Sequence, residues 1–285
     1  MTDFELEAYD EPGRFLAAAA KFLRTAEVEN SMIYLPAERM VVAPHVDDAG
    51  SYWATVSMRG AVVAAAAHHA TGGVIVTSGP DQACALIAAD MAVRARAPNN
   101  VVGPLASCEA FARTWRERTG QVHVLHVHLR HFELTQSPPV FPASGCARLP
   151  HDSELETLVG WTLAFVAEIG LPEPPELTRR RALTRIGNGQ VRVWDDDGPV
   201  AYAGYGADAS DTVRIAPVYT PLEFRGKGYA SALVADLSRE LFARGKRALF
   251  LTTDVANPTS NSIYQRIGYR PVADHFHFSL LPGTA

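Results

Sequence analysis

Apolar and polar positions follow two rhythms along this chain, and each change of rhythm marks an expected element. Between residues 11 and 27 the apolar side chains Phe15, Leu16, Ala19, Phe22 and Leu23 recur three and four apart behind Pro12, which predicts a helix. Residues 32–35, 40–43, 52–58, 61–68 and 73–77 are short β-rich pieces separated by Gly, Pro and Asp, the pattern of an antiparallel meander. Helical spacing returns over 81–94 through Ala85, Leu86, Ala89 and Met91, followed by a strand at 101–102, a helix at about 107–118 and a strand at 121–134. In that strand Leu125, Val127 and Leu129 alternate with His126, His128 and Arg130. His126 and His128 could ligate a metal, but no carboxylate or cysteine pattern accompanies them, and the wet face of a sheet is the simpler account.

Ser137-Pro138-Pro139-Val140-Phe141-Pro142-Ala143-Ser144-Gly145 can sustain neither a helix nor a ladder. It predicts a linker over 137–145 that separates a domain at 1–136 from one at 146–285. Beyond it come a strand at 146–149, a helix over 152–169 with an acidic start, a second helix at 176–185 and strands at 190–194 and 200–206. Those strands face each other across the turn Asp195-Asp196-Asp197-Gly198. A strand at 212–220 then runs into a glycine loop and a helix whose stripe is Ala230, Leu233, Val234, Leu237 and Leu241. A strand at 248–253, a helix at 259–267 and a last strand at 270–280 complete the order.

The glycine loop, Arg225-Gly226-Lys227-Gly228-Tyr229-Ala230, places two glycines and two cations where the free N–H groups of a helix N-terminus point outward. In physical terms that is a diphosphate cradle. It lacks both G-x-x-x-x-G-K-[ST] and G-x-G-x-x-G, so kinase and dinucleotide readings are weak. Arg-x-x-Gly-x-Ala resembles the acyl-CoA pyrophosphate motif of the GCN5-related N-acetyltransferases, the GNAT family. A second stretch, from Asn257 through Tyr264 to Gly268-Tyr269, is similar to that family's N-x-x-[AS]-x-x-[LI]-Y-x-x-x-G-[FY] signature and lies downstream at the expected distance. With its flanking elements, the resemblance covers the chain from about residue 145 to the C-terminus.

The resemblance implies an α+β fold with a mixed, mostly antiparallel sheet flanked by helices. It also implies acetyl-CoA as co-substrate, with no metal. Main-chain groups of Val218, Tyr219 and Thr220 would pair with the pantetheine arm, and Arg225, Gly226, Lys227, Gly228, Tyr229, Ala230 and Ser231 would hold the pyrophosphate. Asn257 would fix the pantetheine, and a main-chain N–H near Val218 or Tyr219 would stabilise the oxyanion. Tyr264 matches the family's general acid. For a base, Glu168 and Asp254 are the carboxylates this layout brings nearest the cleft; each reads more readily as a cap or a solvated charge, in which case the amine loses its proton to water. Trp161 and Phe165 share a helical face with Glu168 and read mainly as core.

The first half repeats the order of elements loosely. Aligned on 85–90 and 232–236, its cradle position becomes Ser78-Gly79-Pro80-Asp81-Gln82-Ala83, which offers a carboxylate and a missing donor where the second half has N–H groups. Aligning Gly120 with Gly268 puts Glu109 at the place of Asn257 and Arg116 at that of Tyr264. The expectation is therefore a tandem of two GNAT-like domains in which the N-terminal copy has lost cofactor binding and shapes or covers the substrate cleft, with an unrelated α+β domain as the alternative reading of the first half.

Composition narrows the functions. The chain has 285 residues, 47% apolar and 20% charged, with a formal charge of −5, so it carries no basic footprint for nucleic acid. Its longest apolar run, 61–67, is too short to span a membrane, and the acidic N-terminus lacks the features of a signal peptide. Three scattered cysteines suggest no disulfide framework. A cytoplasmic acetyltransferase acting on a small-molecule amine is the leading expectation, with a homodimer left open as its assembly. Protein or peptide N-acetylation is a variant, and a non-catalytic acyl-CoA-binding module is the rival class.

Overall fold

The computed structural model describes residues 4–42, 50–68, 72–170, 173–206 and 211–283. Two compact units divide the chain: the first comprises Met1–His131, Thr252–Ala256 and Val272–Ala285, the second Phe132–Leu251 and Asn257–Pro271.

In the first unit β1 (Phe4–Tyr9) precedes α1 (Pro12–Leu23), a 3-10 turn (Arg24–Ala26) and α2 (Ser31–Val42). Then come β2 (Tyr52–Met58), β3 (Ala61–His68), β4 (Val74–Val76), α3 (Asp81–Val93), β5 (Asn100–Gly103), α4 (Leu105–Thr119) and β6 (Val122–Leu134). The chain's last strand, β12 (Arg270–Leu281), lies between β5 and β6, so the order is β1-β2-β3-β4-β5-β12-β6. Neighbours from β1 to β4 are antiparallel, β4 and β5 are parallel, and β12 is antiparallel to β5 through Phe276↔Gly103 to Ser279↔Asn100. Strand alternation sorts the core. Tyr52, Ala54 and Val56 face Ile87, Phe111 and Trp115 of α3 and α4, while Trp53, Ala65 and Ala67 face Phe15, Leu23 and Ile33 of α1 and α2.

Two pieces of this unit differ from the sequence expectation. Residues 32–35 and 40–43 were expected as strands; 31–42 form one helix, α2, with Pro36 inside it. Ile33, Tyr34, Ala37 and Met40 fall three and four apart and are buried together. Each large apolar side chain so buried stabilises by roughly 2 kcal/mol, and two of them offset an interior proline's cost of about 3 kcal/mol. The second piece is β1, where Phe4, Leu6 and Ala8 alternate with Glu5 and Glu7 and pack on the α3–α4 side of the sheet.

The second unit contains β7 (Cys146–Arg148), α5 (Leu155–Glu168), α6 (Pro175–Gly187), β8 (Val191–Asp195), β9 (Pro199–Tyr205) and β10 (Thr212–Tyr219). It continues with α7 (Tyr229–Ala243), β11 (Ala248–Asp254) and α8 (Pro258–Ile267), and its sheet order is β11-β10-β9-β8-β7. The β10–β11 pair is parallel and the others described are antiparallel. On one face Leu158, Trp161 and Phe165 of α5 pack against Val193, Tyr202 and Tyr219; on the other, α7 and α8 bury Leu233, Leu237, Tyr264 and Ile267 against Ala203, Val213 and Leu249. Trp161 and Phe165 are partly buried and pack against this core. Residues 137–145 form neither helix nor strand, and Phe141 and Ala143 pack onto the α7 side of this unit.

Candidate active site

β10 sets the site through two irregularities. Its pairing with β9 slips between Ile215↔Tyr205 and Val218↔Ala203, so Ala216 and Pro217 stand opposite Gly204 alone. A Cβ on Gly204 would lie 3.1 Å from both the Ala216 carbonyl oxygen and Pro217 Cδ, so glycine is what admits this bulge. On the other side β10 pairs with β11 only through Arg214↔Phe250 and then runs on to Tyr219. The strands part there. The main-chain groups around Val218 are left on the opened side, re-aimed by the bulge and without a β11 partner among the described residues.

A 3-10 turn, Leu222–Phe224, follows Pro221, and Arg225 then takes extended backbone. Gly226 and Gly228 both adopt left-handed backbone, with φ of 80° and 85°. A side chain on Gly226 would meet nothing within 4 Å, and one on Gly228 only the Pro142 carbonyl oxygen at 4.0 Å. Gly228 is the N-cap of α7, and no side chain caps that end. The first bond back to the Gly228 carbonyl comes from the Ala232 N–H at 3.0 Å, which leaves the N–H groups of Tyr229, Ala230 and Ser231 as first-turn donors. Tyr229 and Ser231 are otherwise buried, and the Tyr229 hydroxyl donates to the Asp196 carboxylate. Lys227 is exposed, its Nζ 5.9 Å from the Phe224 ring centre.

Arg225 and Glu168 occupy each other. Arg225 Nη2 donates to the two Glu168 carboxylate oxygens at 2.8 and 3.0 Å, and its Nε donates to the Thr220 carbonyl at 2.8 Å. The Tyr219 hydroxyl donates to the same carboxylate at 3.0 Å, and the guanidinium sits 5.6 Å from the Tyr219 ring centre. Burial and then Glu168 raise the Tyr219 phenol, keeping its proton in place. The Thr220 hydroxyl is buried without a hydrogen-bond partner among the described residues. The expected base Glu168 is therefore the acceptor at the centre of a three-residue cluster. Asp254 accepts the Ala256 N–H at 2.8 Å and belongs to the first unit.

Asn257 is the N-cap of α8, its Oδ1 accepting the Ser260 N–H at 3.0 Å. Tyr264 lies two turns along that helix, 9% exposed, its ring edge-on to Tyr269 at 6.0 Å. Burial pushes its phenol up to about 12. Sequence reasoning missed the support beside α7. Ser144 donates to Asp196 at 2.7 Å, and Trp194 Nε1 donates to the Ser144 carbonyl at 2.7 Å, tying the segment before β7 to the β8–β9 turn. The Asp-Asp-Asp-Gly run signalled the turn but not what its second aspartate would hold.

The strand histidines belong to the first unit. His126 meets the His277 ring at 5.1 Å, and His128 stacks on Phe276 with Nε2 3.1 Å from Asp274. Among the described residues no group of three or more His, Cys, Asp or Glu side chains could hold a metal ion, and no helix is long and apolar enough to cross a membrane.

A parted parallel strand pair, a bulge on its inner strand and an uncapped glycine turn opening the next helix form one arrangement. Residues 156–269 match the model of the acetyltransferase (GNAT) family. This stretch is a GNAT domain. Solved structures extend the likeness of fold to the whole chain. A GCN5-related N-acetyltransferase from Sphaerobacter thermophilus aligns over 99% of this chain and 97% of its own, with a TM-score of 0.63 and 18% identity. A GNAT-family acetyltransferase from Colwellia psychrerythraea covers 97% and 99%, with a TM-score of 0.60 and 9% identity. A tandem GNAT protein from the clavulanic acid biosynthesis pathway covers 99% and 100%, with a TM-score of 0.58 and 15% identity. Among curated proteins none matches this chain in sequence. The fold is thus GNAT-like in both halves, and the GNAT signature lies in the second.

Proposed function

We propose that the GNAT domain binds acetyl-CoA and transfers its acetyl group to the primary amine of a small molecule. The observation that carries this reading is the open turn at Gly226 and Gly228 beside the parted strand β10, because the two together offer amides for a diphosphate and a free strand edge for an extended amide-bearing arm. The residues present fit that group. The N–H groups of Tyr229, Ala230 and Ser231 would take the diphosphate, with Lys227 adding charge. Main chain at Val218, Tyr219 and Thr220 would align the arm, and Asn257 would fix it from α8.

For the chemistry, the amine nitrogen bonds to the thioester carbonyl carbon and the carbon–sulfur bond breaks. Donors near Val218 stabilise the oxygen that becomes negative in between. The departing sulfur takes a proton from the Tyr264 hydroxyl, whose raised pKa keeps that proton available throughout the neutral range. Glu168 is held by Arg225 and Tyr219, so the amine's own proton leaves to water in this reading. The chain's net charge of −5 suits an acceptor that arrives as a cationic amine.

Calorimetry with coenzyme A and free-thiol release from acetyl-CoA across a panel of amines test the reading. Binding with turnover on at least one small amine supports it. No heat with coenzyme A overturns it, and binding without turnover on every amine makes the domain an acyl-CoA-binding module.

A further inference from the structure

The first unit contains a pocket of about 290 Å³, roughly ten water volumes, whose walls include Phe22, Thr25, Glu29, Asn30, Val63 and Ser78. Glu29 is the one ionisable side chain in that wall. Its carboxylate is half-buried and makes no hydrogen bond or ion pair among the described residues. Burial alone raises its pKa above the ordinary carboxylate value, with no neighbouring donor or cation lowering it.

Among the described residues no donor or cation answers this carboxylate. Asn30 Nδ2 donates to the Leu23 carbonyl at 3.0 Å, and the Thr25 hydroxyl donates to the Phe22 carbonyl at 2.7 Å. Arg24, the nearest cation in sequence, donates to the Tyr34 hydroxyl and lies 3.5 Å from Glu38. A partly desolvated anion with no partner costs stability unless something cationic fills the space beside it. The same lining holds Phe22 and Val63, an aromatic and a branched apolar surface, and Ser78 with its hydroxyl.

We infer that this pocket binds a small organic ammonium ion, its cationic nitrogen against Glu29 and a short apolar chain between Phe22 and Val63. The volume admits one compact molecule, and anions find no cation in the wall. The site is made entirely of first-unit residues and does not depend on the acetyl-transfer reading of the GNAT domain.

The test is calorimetry on the full chain with propylammonium chloride, using propan-1-ol and sodium propionate as neutral and anionic controls. Propylammonium is expected to bind, the controls to give no heat, and Glu29→Gln to weaken binding by about tenfold or more, as loss of a charge-assisted contact does. Glu29→Gln should also melt higher than the parent at neutral pH without ligand, and propylammonium should raise the melting temperature of the parent only. Any amine bound in the GNAT domain is unaffected by Glu29→Gln, which separates the two sites. Absence of propylammonium heat at tens of millimolar, or heat of equal size in Glu29→Gln, overturns the inference.

Discussion

At the junction of β10 and α7 two glycines take left-handed backbone, nothing crowds them, and three first-turn amides of the helix remain uncapped. At the junction of β4 and α3 the chain reads Ser78-Gly79-Pro80-Asp81. Pro80 is the N-cap, and Asp81 places a carboxylate in the first turn, 3.8 Å from Arg113. A Cβ on Gly79 would come 2.8 Å from the Val63 carbonyl oxygen, so that turn is pressed onto β3. The strands differ as well. β10 runs five residues past its last pairing with β11, whereas β4 ends at Val76, whose carbonyl lies so close to Gly103 that an added Cβ would sit 2.3 Å from it. One fold therefore carries an open turn with uncapped amides and a spare strand edge in one unit, and a closed turn with a carboxylate in the other.

The difference can be broken or sharpened by experiment. The largest effect is expected from Tyr264→Phe, which should lower kcat by roughly tenfold to a thousandfold with little change in coenzyme A affinity. Unchanged turnover removes the tyrosine from the mechanism. Next, Gly228→Val forces a β-branched residue into left-handed backbone and should weaken coenzyme A binding by about tenfold to a hundredfold, read by calorimetry. The matching change in the other turn, Gly79→Ala, should leave coenzyme A binding alone and cost about 1–3 kcal/mol of stability through the clash with β3, read by denaturant melts. Stoichiometry belongs to the same comparison: one coenzyme A per chain is expected, and two would erase the contrast between the turns.

Smaller still is Glu168→Gln. The Arg225–Glu168 pair is 42% and 44% exposed, so its loss should alter coenzyme A affinity by about fivefold or less. Least visible is the pH profile around Tyr264. With the folded phenol at about 12, kcat should show no alkaline decline from this group up to about pH 10. Between pH 10 and 12 only the unfolded chain gives up this proton, so stability held by the buried phenol falls as pH rises through that window. Tyr264→Phe should flatten that part of the stability curve.

Much of this was legible in the residues. The β10–α7 turn announced itself because glycine, cation and helix stripe are all local, and Asn257 and Tyr264 share one short helix. The α2 segment was misread because Pro36 weighs against a helix interior and its β-branched and aromatic neighbours weigh toward strand, while burial of Ile33, Tyr34 and Met40 against α1 and the sheet decides for helix. Glu168 was visible as a carboxylate, but not its capture by Arg225 and Tyr219, 57 and 51 residues away, since no local pattern encodes such pairings. The place of β12 was hidden for the same reason: alternation shows that a strand forms, not which neighbour it takes.

That last strand has a consequence for anyone cutting the gene. Residues 272–285 follow the whole GNAT signature yet are counted with the opposite half, where β12 covers the edge of β5. A stop codon after Pro271 would spare every residue of the acetyltransferase motif and still leave the other half with a raw, sticky edge. Separate expression of 1–136 should therefore yield aggregates, and supplying the missing carboxy-terminal strand as a peptide should restore solubility.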